Sequence, residues 1–142
     1  MNAKDAALKI ILTKRRSGKE VFDKLLEKEF SEEESREAVE YFKEKGYIDD
    51  GDYARRFTSD AVNLKGYGKK RIEIELKRRG VCEEDIYAAL SDAEFDILPL
   101  MRKKFSSCES IKEKNKIVNH FLRRGFSFSE ICDAINEIYG EI

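Results

Sequence analysis

The chain has 142 residues, 41% hydrophobic and 40% charged, with a formal charge of -1, a length that suits one domain or a short array of small ones. Charge this dense leaves no membrane-spanning stretch, the longest apolar run being Ile97-Leu98-Pro99-Leu100-Met101, and Met1-Asn2-Ala3-Lys4-Asp5 lacks the apolar core of a secretory signal, so a cytoplasmic location is expected. Nine Phe and six Tyr argue for a packed core rather than disorder, while three scattered cysteines (Cys82, Cys108 and Cys132) and one histidine (His120) fit neither a disulfide framework nor a zinc site.

Hydrophobic spacing predicts nine helices. The first, over 4–16, carries Ala7, Leu8, Ile11 and Leu12 on one stripe. The second, 19–28, carries Val21, Phe22, Leu25 and Leu26, and the third, 32–45, carries Ser35, Ala38, Val39 and Phe42. Ser17-Gly18-Lys19-Glu20 and Ser31-Glu32-Glu33-Glu34 open them with the S-x-x-E form of a capping box. A fourth helix, 51–64, follows Asp49-Asp50, one of which is expected as its N-cap rather than as part of a metal site. Tyr53 and Phe57 fall on its core stripe. A fifth, 69–79, follows the turn Gly66-Tyr67-Gly68, and a sixth covers 83–92. The seventh, 95–106, contains Pro99, accommodated either in a first turn capped by Asp96, the preferred reading, or by a kink. The eighth and ninth, 111–124 and 128–139, start at Ser110-Ile111-Lys112-Glu113 and Ser127-Phe128-Ser129-Glu130. Gly46-Tyr47, Gly80-Val81 and Gly125-Phe126 read as left-handed stops, each followed by an apolar contact.

Three segments align without gaps: Val21 to Phe42, Ile72 to Ala93 and Ile117 to Ile138. Leu25, Leu76 and Phe121 share one position; Phe30, Val81 and Phe126 share another; Ala38, Ala89 and Ala134 a third. Glu29 stands where the other two copies place Gly80 and Gly125. The fold class is therefore all-α, three tandem three-helix repeats over 1–48, 49–92 and 93–142. A single repeat is too small to bury a good core, so the three are expected to stack into a curved, elongated array.

Enzyme signatures are missing. There is no phosphate-binding GxxxxGK[ST] loop and no GxSxG elbow, and Gly66-Tyr67-Gly68 lacks the third glycine and preceding strand of a dinucleotide site. The strongest local feature is basic. Lys65, Lys69, Lys70, Arg71, Lys77, Arg78 and Arg79 face only Glu73 and Glu75 within fifteen residues. Such a polarised molecule steers toward an acidic surface or a phosphate backbone, the reading preferred here over that of a merely solvated helix face. Arg78-Arg79 and Arg123-Arg124 occupy equivalent places before a capping glycine, where cations complement the helix dipole or make bidentate contacts to an anion. Tyr67 stacks on a partner or packs internally. With Arg55 and Arg56 on the fourth helix, these residues make up the candidate partner-binding set.

Gly46-Tyr47-Ile48-Asp49-Asp50-Gly51-Asp52-Tyr53-Ala54, then Lys65-Gly66-Tyr67-Gly68, Arg71-Ile72, Glu75-Leu76 and Gly80-Val81, resemble the RecX family of bacterial regulators of the RecA recombinase. The likeness spans the chain and is strongest over 46–90. It departs from the family pattern at Ser59-Asp60-Ala61, where an arginine is expected, and at Lys69, often a proline. The resemblance implies three tandem three-helix repeats, no enzymatic activity and no cofactor. It also implies a monomer that binds in the groove of a RecA–DNA filament and suppresses strand exchange, ATP hydrolysis and LexA co-cleavage. The alternative is nonspecific DNA binding through a helix-turn-helix likeness at Lys77-Arg78-Arg79-Gly80-Val81-Cys82. Against it, the helices that would enter a groove open with Glu32-Glu33-Glu34 and Glu83-Glu84-Asp85, acids that phosphates repel. Any contact with DNA is expected through the second helices of the repeats.

Overall fold

The computed structural model describes residues 1–141; Ile142, the last residue of the third predicted repeat, lies outside the described residues. Among these there are nine α-helices and no strand: α1 (Ala3–Thr13), α2 (Gly18–Glu27), α3 (Glu32–Glu44), α4 (Asp50–Asp60), α5 (Lys69–Arg78), α6 (Glu83–Asp92), α7 (Ile97–Lys104), α8 (Ile111–Arg124) and α9 (Phe128–Tyr139). No helix among the described residues is long and apolar enough to cross a membrane.

The capping chemistry explains most boundaries. Ser17 and Ser127 close full capping boxes with Glu20 and Glu130. Asp49 is the N-cap of α4, its Oδ1 accepting from the Asp52 amide at 3.0 Å. Asp96 accepts from the Leu98 amide at 3.1 Å, which places Pro99 in the first turn of α7, where no intrahelical partner awaits its missing N–H. The capped reading of Pro99 is thus the observed one, and α7 is shorter than the pattern suggested. The fourth helix also ends differently. Its last residues, Ala61–Lys65, widen into a π turn closed by Gly66 at φ 67, and the Tyr67 amide donates to the Ala61 carbonyl at 3.1 Å.

Two compact units emerge: residues 1–57 with 76–89, and 58–75 with 90 onward. The middle stretch of the sequence is therefore shared between them. In the first unit α1, α2 and α3 pack on one another around Ala7, Val21, Leu25, Ala38 and Phe42. In the second, α9 packs against both α7 and α8 around Met101, Ile117, Phe121, Ile131 and Ile135. The Tyr139 hydroxyl donates to the Phe105 carbonyl at 2.5 Å, tying α9 to the end of α7. The stripes read for α2 and α3 from helical spacing supply Val21, Leu25, Ala38, Val39 and Phe42 to the core of the first unit. The one read for α1 does not hold: Leu8 and Leu12 are exposed and Ile11 half-buried, and α1 turns the smaller Ala3, Ala6 and Ala7 with Ile10 inward.

Candidate partner-binding surface

In the second unit, the turn before α5 presses on the end of α8. The Gly68 amide donates to the Arg124 carbonyl at 2.7 Å and the Lys70 amide to the Gly125 carbonyl at 3.1 Å. A Cβ on Gly68 would sit 2.6 Å from the Gly125 carbonyl carbon. Gly68 is there for this close approach of two backbones, and Gly66 for its left-handed φ of 67, so the pair is explained without any nucleotide. Side chains reinforce the joint. The Arg71 guanidinium lies 4.3 Å from the centroid of the Tyr67 ring and donates through Nη1 to the Arg123 carbonyl at 3.0 Å. Arg124 donates through Nη1 to the Lys65 carbonyl at 2.8 Å. Five of the twelve candidate residues therefore meet at one place: Lys65, Tyr67, Arg71, Arg123 and Arg124. Two roles separate there. Tyr67, Arg71 and Arg124 are half-buried and hold the frame, whereas Lys65, Lys69, Lys70 and Arg123 are exposed. The Lys69 ammonium lies 5.8 Å from the centroid of the Phe95 ring.

The first unit repeats the joint at equivalent positions. Ser17, which aligns with Gly68, donates its hydroxyl to the carbonyl of Arg79, which aligns with Arg124, at 2.7 Å. The Gly18 amide, at the start of α2, donates to Asp50 Oδ1 at 2.8 Å, so the second aspartate of the pair serves another helix. The Arg79 guanidinium lies 4.5 Å from the Phe57 ring centroid, and Phe57 stacks on Tyr53 with centroids 6.3 Å apart. Burial, then a hydrogen bond and charge from Glu20, push the Tyr53 hydroxyl up to about 12, with Arg79 pulling the other way. Arg79 is thus half-buried in an internal cluster, while Lys77 and Arg78 are exposed. Arg55 and Arg56 are exposed too, paired to Asp52 at 3.8 and 3.0 Å. Exposed pairs of this kind contribute roughly 0.3–0.5 kcal/mol, and Asp52 offsets part of the positive field of the two arginines.

Sequence reasoning missed two cations. Lys103 and Lys104, in the last turn of α7, line a cleft with Lys65 and Arg124. Their signal in the sequence was a basic helix C-terminus, which the dipole alone explains. His120 borders the same cleft. Burial first, then Arg124, Lys104 and Arg123, pull its imidazole below the ordinary histidine value.

Comparison with known proteins settles the family. Residues 3–42 match the RecX first three-helix domain and residues 49–90 the RecX second three-helix domain. The regulatory protein RecX of Vibrio campbellii is 30% identical over 142 residues, covering 96% of this chain and 91% of the relative. The chain belongs to the RecX family. The regulatory protein RecX of Clostridium botulinum is also 30% identical, over 96% of this chain and 68% of its own length. The crystal structure of RecX from Lactobacillus salivarius superimposes with a TM-score of 0.83 at 26% identity, covering 96% of this chain and 94% of that one. RecX membership and the all-helical fold of three-helix domains agree with the repeat read from the sequence.

Proposed function

We propose that this RecX family protein inhibits the RecA recombinase by lying in the groove of the RecA–DNA filament, with the exposed cations around the start of α5 as its main anchor. It acts as a binding protein, not an enzyme. The observation that carries the reading is the state of Lys69 and Lys70. Both are exposed, and among the described residues neither is ion-paired, although the chain as a whole is nearly neutral. Each exposed charge contributes little alone, but several facing one complementary surface raise the association rate and fix register. The backbone joint to α8 holds this stretch in place, so little ordering is left to do on binding. Any contact with the filament's DNA is nonspecific, because the first turns of α3 and α6 are acidic.

The test is RecA-driven ATP hydrolysis on single-stranded DNA. The variant Lys69→Glu/Lys70→Glu leaves helical content unchanged and raises the concentration for half-inhibition by roughly tenfold or more, since like charges set against each other cost several kcal/mol. Arg71→Glu is examined apart, because Arg71 also builds the joint with Tyr67 and Arg123. Reversing Glu32, Glu33 and Glu37 to Lys leaves inhibition intact. Inhibition weakens as salt shortens the screening length. A double reversal that inhibits as well as the parent protein refutes the anchor.

A further inference from the structure

In the second unit a cleft of about 290 Å³ opens beside the π turn, the last turn of α7 and the end of α8. Lys65, Lys103, Lys104 and Arg124 line it together with Leu100 and Phe121, and no carboxylate is among the lining residues. The cations are converged by the fold. Arg124 is held there by its bond to the Lys65 carbonyl, across 59 residues of sequence. Leu100 is half-buried and lies against Gly66.

We propose that this cleft binds an acidic peptide segment of a protein partner, seating an aliphatic side chain on Leu100 while flanking carboxylates pair with Lys65, Lys103, Lys104 and Arg124. The proposal deepens the reading that this protein acts by binding a protein, and rests on it. The charge argument is direct. Several cations share one small perimeter with no carboxylate among its lining residues, so an anion relieves their mutual repulsion as well as pairing with each. The apolar floor selects among anions. A bare phosphate gains nothing from Leu100, whereas an aliphatic side chain buried there gains hydrophobic free energy. A nucleic-acid strand is the poorer fit, because bases bind on exposed aromatic faces. Phe121 is only 2% exposed, and the Tyr67 ring is already covered by Arg71.

His120 supplies the readout. It is the single histidine of the chain, so its ring protons give one unambiguous NMR titration. Cations surround it, and the arrival of carboxylates nearby raises its pKa. The probe is a synthetic peptide with one leucine flanked on each side by two aspartates. Comparators are the same peptide with serine for leucine, and a ten-residue oligothymidylate. The leucine peptide should move the His120 midpoint upward by about half a unit or more. The serine version should bind roughly tenfold more weakly, having lost the aliphatic anchor. Lys103→Glu/Lys104→Glu, with helical content checked by circular dichroism, should abolish the shift. Lys103→Gln/Lys104→Gln should weaken binding without reversing any charge, and Lys69→Glu/Lys70→Glu should leave it in place. An upward shift produced by the oligonucleotide and not by the peptide overturns the proposal, as does equal binding of the serine peptide or an unaffected Lys103/Lys104 reversal. The titration contains no RecA. A failed ATP-hydrolysis experiment therefore sinks the proposed function without touching the cleft, and the reverse also holds.

Discussion

Replacing Glu29 by glycine should make the protein more stable. Glu29 has φ 71 and is the one non-glycine residue with positive φ among the described residues. It occupies the residue after the C-cap of α2 in a Schellman arrangement: its amide donates to Leu26 at 2.9 Å, and that of Phe30 to Leu25 at 3.2 Å. The same two bonds recur at Gly125, from Gly125 to Leu122 and from Phe126 to Phe121, both at 3.1 Å. The motif demands a left-handed residue, and only the third copy and the second meet it with glycine. A left-handed backbone costs a residue with a Cβ ~1–2 kcal/mol. Glycine loses about 0.5–1 kcal/mol of that advantage through its freer unfolded chain. The glutamate side chain is exposed, so little packing is lost, and removing an anion from a helix C-terminus adds up to a few tenths. The net gain is ~0.5–1 kcal/mol, a shift of roughly 0.2–0.5 M in the urea midpoint of the helical circular-dichroism signal. Glu29→Ala separates the causes. It removes the charge and keeps the Cβ, so it should gain no more than the dipole contribution. If Glu29→Gly matches Glu29→Ala or lowers the midpoint, backbone strain at this turn is not what distinguishes the first repeat.

Two further substitutions test the same logic elsewhere. Cys82 aligns with Ser31 and Ser127 at the start of the third helix of each repeat, but its thiol points to Asp85, with Sγ 3.3 Å from Oδ2, where the serines accept an amide. Cys82→Ser should restore the cap and stabilise by about 0.5–1 kcal/mol, seen as a higher thermal midpoint; an unchanged midpoint means α6 is already capped adequately. Ser35 is fully buried, its hydroxyl without a hydrogen-bond partner, where the other repeats place Ile86 and Ile131. Ser35→Ala should stabilise by roughly 1 kcal/mol in urea unfolding, because an unpaired buried hydroxyl is unfavourable, and a loss of stability would show that the hydroxyl is bonded after all.

How much of this was legible in the sequence depends on how local each feature is. The start of α9 follows from Ser127 and Glu130 within four residues, and the stripe Ile117, Phe121 is one helical turn. The left-handed turn at Glu29 was visible by comparing repeats. Neither the π turn nor the inward course of Arg79 was visible, since the first needs Gly66 and Tyr67 to share the Ala61 carbonyl, and the second needs Phe57 to present its ring. In the sequence Lys103 and Lys104 are only a basic pair at a helix end; the fold sets them beside Lys65 and Arg124. A basic run identifies itself in the sequence, whereas a basic cleft assembled from three segments does not.

Within each unit the arginine pair divides between the joint and the exposed face. In the second and third repeats the last arginine before the capping glycine turns inward: Arg79 lies over Phe57 and Arg124 reaches the Lys65 carbonyl, and each lends its own carbonyl to the start of a preceding second helix. The first arginine of each pair, Arg78 or Arg123, stays exposed. Adjacent residues on a helix point about 100° apart, so a doubled arginine can place one guanidinium in the joint and the other on the exposed face. The first repeat has Glu27-Lys28 in these places and a strained glutamate where the others have glycine. The arginine and the capping glycine are thus replaced together in the first repeat, which has neither the inward guanidinium nor the unstrained turn.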